Sequence, residues 1–351
     1  MAVNPLRYFW RVAQVGVVTA LFALAFVLGL PLGRPRLLRW YFQTCGHGFV
    51  KLGQVLAMRY DLLPMAYCEA LASLLDQMPT VPLAKLLTII ERDLGRPWPE
   101  IYRHIDSEAL GSASIAQVHG AELVDGRRVV IKVLRPHSRT YFRIDFFNAR
   151  LFARFFDSLG LIPSLNLRLL TEEVIQLTEE ELDFRREAQN IDLLHRQLES
   201  DGLAHTVPQV VPQGCGEQVV TMERMDGIWL KDVLVADPAD LPSNLDRERL
   251  AALLFESILV QIFRHRLFHA DPHAANILIR PDGSLGYVDF GLVGWVDEKV
   301  WEQQARLYQA IGQEQVQAAY DAILDSMQPL PALDLTDFER EVKALLHDWI
   351  A

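Results

Sequence analysis

One short stretch constrains this chain more than any other. Phe268-His269-Ala270-Asp271-Pro272-His273-Ala274-Ala275-Asn276 is a polar loop that carries an acid and, five residues on, an amide. It runs into Ile277-Leu278-Ile279, which has the character of a short apolar strand, and then into the turn Pro281-Asp282-Gly283. A second strand follows and ends in Tyr287-Val288-Asp289-Phe290-Gly291. Asp-Phe-Gly alone is an ordinary turn after a strand. Joined to the upstream Asp and Asn at this spacing, it specifies a site.

The layout is that of a kinase catalytic loop and its metal-binding segment. Phosphoryl transfer needs a carboxylate near the attacking hydroxyl and oxygen ligands that hold magnesium against a triphosphate. Asp271 can be the first, and Asn276 and Asp289 the second.

A chain of 351 residues has room for two domains, or for one two-lobed enzyme with an extension. Its 34 basic and 45 acidic side chains give a net charge of −11, so a general nucleic-acid-binding role has no basic footprint. Cys45, Cys68 and Cys215 are widely spaced, without paired metal-ligand spacing, and read as free thiols in a reducing compartment. From Val12 to Leu30 no residue is charged; Arg7 and Arg11 precede the run, and Arg34, Arg36 and Arg39 follow it. At about 1.5 Å per residue such a helix just spans a bilayer's hydrocarbon core. No small-x-small cleavage pattern ends it, and Pro31 and Gly33 close it, so it reads as a retained anchor rather than a removed signal peptide. A buried core helix is the alternative. The three arginines after the run favour a cytoplasmic catalytic domain.

Leu37 to Met58 reads as one helix, on which Lys51 and Gln54 lie near the same face. Both could reach one anionic or polar target, or both are solvated surface residues. Asp61-Leu62-Leu63-Pro64 breaks the pattern before a helix from Cys68 to Met78; Pro79 and Pro82 mark the next break, and Leu83 to Leu94 is a short amphipathic helix. From about Ile101 the pattern changes. Ser114 to Glu122 alternates as a strand does, Asp125-Gly126 supplies a tight turn, and Arg128 to Val133 returns. Lys132, at the end of an apolar strand, needs an anionic partner unless the strand is an edge. Before the hairpin stands Gly111-Ser112-Ala113-Ser114 in place of a glycine-rich loop; the added Cβ atoms stiffen any backbone approach to phosphates and alter the pose of a nucleotide.

Residues 139–160 are rich in Phe and Arg, and Ser164 to Leu198 reads as helix with Thr171-Glu172-Glu173 at a capping position. One of its glutamates, Glu181 or Glu187, must meet Lys132 if a nucleotide lobe is present. Pro208 to Val211 and Gln218 to Met225 supply two more strands, and Met222 to Gly227 has the look of a hinge whose backbone would read an adenine edge. Leu250 to His265 is the apolar helix that delivers the catalytic loop. After Asp289-Phe290-Gly291, Leu292 to Val296 pass directly into charged helical sequence, with no long Ser/Thr/Tyr-bearing segment and no Ala-Pro-Glu. A protein kinase holds its peptide there.

Several motifs together resemble the UbiB (ADCK) family of atypical kinase-like proteins. They are Lys51-Leu52-Gly53-Gln54, the alanine-type loop at 111–114, Val130-Ile131-Lys132, Glu181-Leu182-Asp183-Phe184 with Glu187, His269-Ala270-Asp271-Pro272-His273 with Asn276, and Asp289-Phe290-Gly291. The resemblance covers residues 40–300. It implies an α+β, protein-kinase-like two-lobed fold, with a helical extension folded over the cleft to occlude peptides. Together with the membrane helix read above at 12–30, this divides the chain into an N-terminal segment 1–36, a helical extension at 37–100, an N-lobe with inserted helices at 101–226 and a C-lobe at 227–351.

On the same resemblance the chain uses ATP and Mg²⁺ as a membrane-stimulated ATPase or small-molecule kinase in ubiquinone or related prenylquinone biosynthesis, and protein kinase activity is not expected. The alternative is an ATP-gated scaffold that organises quinone-biosynthetic enzymes without significant turnover. Lys132 would contact the ATP phosphates and Glu187 would pair with it, while Gly111, Ser112, Ala113, Ser114, Glu223 and Met225 complete the ATP site. Asn276 and Asp289 would bind Mg²⁺, and Asp271 would be the catalytic carboxylate. Lys51 and Gln54 would enter the cleft, with Glu181 or Asp183 as partners of the extension. Gly111 stands where the family usually has alanine, which implies looser phosphate contacts. Implied partners are membrane lipid, quinone-biosynthetic enzymes and prenylated phenol precursors, and not nucleic acid. The implied location is a bacterial inner membrane or an equivalent organelle membrane. Many relatives continue into hydrophobic segments beyond the point where this chain stops, so a truncated C-terminus is one expectation.

Overall fold

The computed structural model describes residues 5–28, 33–60, 62–75, 80–158, 166–237, 242, 245–328, 330 and 335–350. The expected features at Leu30, Pro31, Asp61, Met78, Pro79 and Ser164 lie outside the described residues. Helices α1 (Pro5–Val27), α2 (Arg34–Cys45), α3 (His47–Ala57), α4 (Met65–Ala72) and α5 (Leu83–Leu94) come first. Strands β1 (Tyr102–Ser112), β2 (Ala116–Leu123) and β3 (Arg128–Leu134) follow, then α6 (Ser138–Ser158), α7 (Leu167–Glu181) and α8 (Phe184–Glu199). Next are β4 (His205–Thr206), β5 (Val219–Glu223), β6 (Ile228–Trp229), α9 (Leu230–Val235) and α10 (Arg247–Val260). The chain continues through β7 (Leu267–His269), β8 (Ile277–Ile279), β9 (Leu285–Tyr287) and β10 (Val293–Trp295). It closes with α11 (Glu298–Gly312), α12 (Val316–Ser326) and α13 (Thr336–Ile350). The architecture is α+β. It divides into two compact units, Met1–Gln189 with Gln209–Arg224, and Asn190–Pro208 with Met225–Ala351.

The first unit holds an antiparallel sheet in the order β1-β2-β3-β5. The β2–β3 hairpin closes at Asp125-Gly126, where Gly126 has φ +91°, a conformation that suits a residue without Cβ. Ile105, Leu123, Val129, Ile131, Val133 and Val219 bury one face of the sheet against Leu86, Ile89 and Ile90 of α5. Those three recur at i, i+3 and i+4, which puts them on one side of that helix. The strand expected from Ser114 begins at Ala116 instead, and Ala113 to Ile115 form the turn after β1.

The extension is not one helix from Leu37 to Met58. Gly46, at φ +108° and ψ −172°, separates α2 from α3 in a conformation open to glycine. The buried Asp145 carboxylate accepts the Gly48 N–H at 3.0 Å and so satisfies a donor at the start of α3. Arg11 of α1 donates to the same carboxylate at 2.8 Å and to the Cys45 carbonyl. Phe42, Phe49, Leu52, Leu56 and Leu71 share a core with Ala149 of α6 and Val174 of α7. The extension is thus part of the first unit's own interior. Burial pushes the Cys45 thiol up to about 12 and Cys215 to about 11; both are free thiols, as is Cys68, and those two stay protonated at neutral pH.

Within α1, Tyr8–Val27 is long and apolar enough to cross a membrane, and 17% of its most apolar window is buried. Val15 and Val18 pack into the unit, whereas Phe9, Trp10, Val17, Leu21, Leu24 and Val27 are exposed. The helix expected through Leu198 breaks at Leu182-Asp183. Asp183 turns back to accept the Arg185 N–H and its guanidinium, which holds the carboxyl below the usual carboxylate range.

The second unit contains a sheet in the order β4-β9-β8-β6 and an antiparallel pair, β10 with β7. Residues 292–296 therefore do not run straight into helix, because Val293–Trp295 pairs with Leu267–His269 first. Nor does α10 reach His265 as an α-helix. It gives way at Gln261 to a π-helical turn, and Arg266 reverses the chain at φ +53°. That turn aims Gln261 at the start of the loop 269–276. Its side-chain oxygen accepts the His269 N–H at 2.9 Å, and its amide nitrogen donates to Ser257 Oγ at 3.2 Å. Ser257 Oγ also meets Tyr287 at 2.7 Å and His205 Nδ1 at 2.8 Å. Beyond His205 lies the buried Asp201, 3.2 Å from His205 Nε2 and 2.6 Å from His265, with Arg264 at 3.7 Å.

Burial lowers the pKa of His205, and of His47 in the first unit, below the ordinary histidine value, although neighbouring carboxylates pull the other way. The unfolded chain binds protons at these imidazoles below about pH 6.5, and the native protein resists doing so. Stability is therefore full above that pH and falls as pH drops through the lowered folded values. Thermal unfolding followed from pH 7.5 down to 5 should show a declining Tm, and His205→Gln should flatten part of the decline. A Tm that does not move over this range would contradict the burial account.

Candidate active site

In the second unit the β8–β9 hairpin places Asn276, just before β8, at the same end as Asp289, just after β9. The Val288 N–H donates to the Asn276 carbonyl at 2.9 Å, which ties the two segments directly. Asn276 Nδ2 donates to Asp271 Oδ2 at 2.9 Å and to the Asp271 carbonyl at 3.1 Å. The three polar groups picked out in the sequence are therefore brought together. Asp271 and Asp289 are exposed and Asn276 is half-buried.

Beneath them the frame is buried. His269 Nδ1 accepts the Asp271 N–H at 3.3 Å, and its Nε2–H donates to the Asp289 carbonyl at 2.8 Å. Burial lowers the His269 pKa, in keeping with a neutral ring that accepts on one nitrogen and donates on the other. Phe290 is fully buried and stacks edge-on to His269 at 5.3 Å, while Asn190 Nδ2 holds the Phe290 carbonyl at 3.2 Å. Asp289 itself sits at φ +63°, and its Oδ1 accepts the Gly291 N–H at 3.3 Å. Asp tolerates that left-handed conformation better than most residues. In the sequence, His269 is marked only by its position two residues before Asp271; its part in the frame comes from contacts across the hairpin.

In the first unit, Lys132 points from β3 to Glu187 of α8, with Nζ–Oε1 at 2.7 Å and both side chains largely buried. Glu187 is therefore the partner of Lys132. Glu181 instead takes Lys51, whose Nζ lies 2.7 Å from both carboxylate oxygens. Lys51 is only 19% exposed and is not a solvated surface residue. Gln54 does not share that target, since its Nε2 donates to the Leu74 carbonyl at 3.1 Å. Asp183 is engaged by Arg185 and is not the extension's partner. Gly111 and Ser112 end β1, and Ala113 and Ser114 turn toward β2. A Cβ at Gly111 would meet nothing within 4 Å and its φ is not positive, so an alanine fits there without strain. The exposed Glu223 ends β5 with its N–H on the Gln209 carbonyl at 2.8 Å, and the chain crosses between the two units at Arg224-Met225. Among the described residues no three His, Cys, Asp or Glu side chains gather as a metal cage.

Residues 73–322 match the ABC1 atypical kinase-like domain. The chain belongs to this family. Among its relatives is a UbiB-named protein kinase of Pseudomonas fluorescens (strain SBW25), 33% identical over 324 residues that make up 90% of this chain and 59% of that protein. An uncharacterized aarF domain-containing protein kinase of the Arabidopsis thaliana chloroplast is 34% identical over 305 residues, 85% of this chain and 55% of that protein. The ABC1 chain spans about half the length of the curated relatives it matches. A Mycobacterium tuberculosis protein solved in complex with erythromycin shares its fold at 23% identity, with a TM-score of 0.59 over 86% of this chain and 73% of that one. Asp271, Asn276, Asp289, Lys132 and Glu187 all lie inside the matched ABC1 residues, whereas Lys51 and Gln54 precede them.

Proposed function

We propose that this ABC1 protein binds Mg-ATP and either hydrolyses it or transfers its terminal phosphoryl group to a small hydroxyl-bearing molecule, in support of prenylquinone biosynthesis at a membrane. The observation that carries the reading is the convergence of Asp271, Asn276 and Asp289 on the frame held by His269.

The donor set suits magnesium, a hard cation that takes one or two protein oxygens and completes its shell with phosphates and water. Asp289 would supply a carboxylate oxygen. Asn276 turns its amide nitrogen to Asp271, which leaves the amide oxygen as the atom suited to a cation. When bound, the ion supplies charge neutralisation along the triphosphate. In this reading Asp271 orients the attacking hydroxyl or water and accepts its proton, Lys132 neutralises phosphate oxygens, and Glu187 fixes the ammonium. Gly111 to Ser114, with the backbone of Glu223 and Met225, would hold the rest of the nucleotide. Lys51 and Glu181 tie the extension to α7 and, in this reading, restrict what can enter.

The membrane setting is supported by α1 and by charge. Residues 1–60 contain Arg7, Arg11, Arg34, Arg36, Arg39, Lys51 and Arg59 and no Asp or Glu, in a chain of net charge −11. Such a segment favours anionic lipid, with the catalytic part on the cytoplasmic face. Membrane lipid, quinone-biosynthetic enzymes and prenylated phenols are the partners this reading requires.

Phosphate release from Mg-ATP, with and without anionic liposomes and a phenol resembling a quinone precursor, tests it. Lipid-stimulated release is the expected result. Nucleotide binding without release under any of these conditions would favour an ATP-gated scaffold, a reading to which the Ser-Ala loop and the engaged Lys51 already lend support.

A further inference from the structure

The turn from β1 to β2 lacks glycine at 112–115, yet it is held by more bonds than a hairpin end requires. Arg135, the first residue after β3, takes three of its acceptors. The Arg135 N–H donates to the Ile115 carbonyl at 2.8 Å, Nε to the Ala113 carbonyl at 2.8 Å, and Nη2 to Ser112 Oγ at 2.5 Å. The Ala113 N–H closes the turn onto the Ala116 carbonyl at 2.9 Å. In a trans peptide the C=O and the following N–H point in opposite directions. Fixing the Ala113 carbonyl on Arg135 therefore fixes the Ser114 N–H on the other side, as a donor whose direction does not depend on glycine.

Behind this turn lies Gln117, with a side chain almost wholly buried. Its oxygen accepts the Val81 N–H at 2.8 Å and the Ser112 hydroxyl at 3.4 Å, and its nitrogen donates to the Val81 carbonyl at 3.0 Å. The same nitrogen lies 2.8 Å from His119 Nε2, and His119 Nδ1 lies 2.8 Å from the Asp106 carbonyl. A carbonyl can only accept, so Nδ1 carries the proton and Nε2 accepts from Gln117. The side-chain amide thus imitates a strand backbone toward Val81, the segment that leads into α5, and supports Ser112 from below.

We propose that Arg135 and Gln117 are positioning residues for the nucleotide loop: Arg135 aims the Ser114 N–H at the ATP phosphates, and Gln117 makes that aim depend on the docked segment at Val81. The inference rests on the Mg-ATP reading above. It assigns to an arginine fork, braced by the chain before α5, the loop geometry that glycines provide elsewhere.

The test measures Mg-ATP binding by calorimetry, and KM and kcat from phosphate release, on the full chain with Tm as a check of folding. Arg135→Ala should raise Kd and KM for Mg-ATP on the order of tenfold, as expected for lost charge-assisted hydrogen bonds, with kcat changed less than about threefold. Arg135→Lys keeps the charge but cannot span the carbonyl and the hydroxyl as a fork, so it should recover only part of the loss. Gln117→Met, which fills similar space without polar atoms, should also raise KM. Should Arg135→Ala fold poorly, Arg135→Lys and Gln117→Met carry the test. Wild-type affinity in Arg135→Lys, or a fall in kcat with KM unchanged, would overturn the positioning role alone. A wild-type protein that binds no Mg-ATP would overturn the nucleotide reading and the positioning role together.

Discussion

Asp289→Asn is expected to lower Mg-ATP-dependent phosphate release by at least about a hundredfold while shifting Tm by no more than a few degrees. The two expectations come from different atoms of one residue. The backbone carbonyl of Asp289 accepts from His269 and so belongs to the buried frame, and the substitution leaves it in place. Asn tolerates φ +63° as Asp does, and its side-chain oxygen can still accept the Gly291 N–H. What disappears is the negative charge, on a side chain that is already exposed, so little folding stability is lost with it. In the Mg-ATP reading proposed above, a bound divalent cation would lose far more, because one of its few anionic protein ligands would become a neutral amide. Raising the magnesium concentration should restore part of the rate, which a folding defect would not allow. Retention of a tenth or more of wild-type release at ordinary magnesium would remove Asp289 from the metal site.

The hairpin that brings Asp271, Asn276 and Asp289 together was legible in the sequence because its signals are local. The Asp-Asn spacing, the Pro281-Asp282-Gly283 turn and the Asp-Phe-Gly segment all fall within about two dozen residues, and the chain between them is too short to place them far apart. Lys132 was legible for a similar reason, as a charge in an apolar strand. The rest depends on contacts that no window contains. Lys51 and Glu181 are 130 residues apart, and nothing near either one distinguishes this pair from a pairing of Lys132 with Glu181. Strand β1 carries no alternating signal, because its register against β2 shifts three times and its burial does not alternate. The breaks at Gly46 and Asp183 come from single residues whose side chain or backbone competes with a helix that the surrounding pattern favours. Arg135 and Gln117 look like a strand-end arginine and a strand glutamine until the turn they hold is seen.

The second large effect concerns Lys132 and Glu187. Side-chain exposure is 12% for the lysine and 4% for the glutamate, and the ammonium also lies 5.6 Å from the Phe184 ring. Removing either charge alone leaves the other buried without this counter-ion, at a cost of about 3–5 kcal/mol. Glu187→Leu and Lys132→Met should therefore each lower the denaturation midpoint strongly. The double variant should recover most of the loss, because two apolar side chains of similar size replace a pair whose desolvation offsets much of its attraction. Lys51 and Glu181 form a more exposed pair, at 19% and 9%, and the same cycle there should give a smaller penalty and a smaller recovery. The cycle also separates stability from chemistry. A double variant that is folded and stable yet releases no phosphate from Mg-ATP places Lys132 in the reaction and not only in the fold. A stable double variant that still turns over would assign the pair to the structure of the first unit alone.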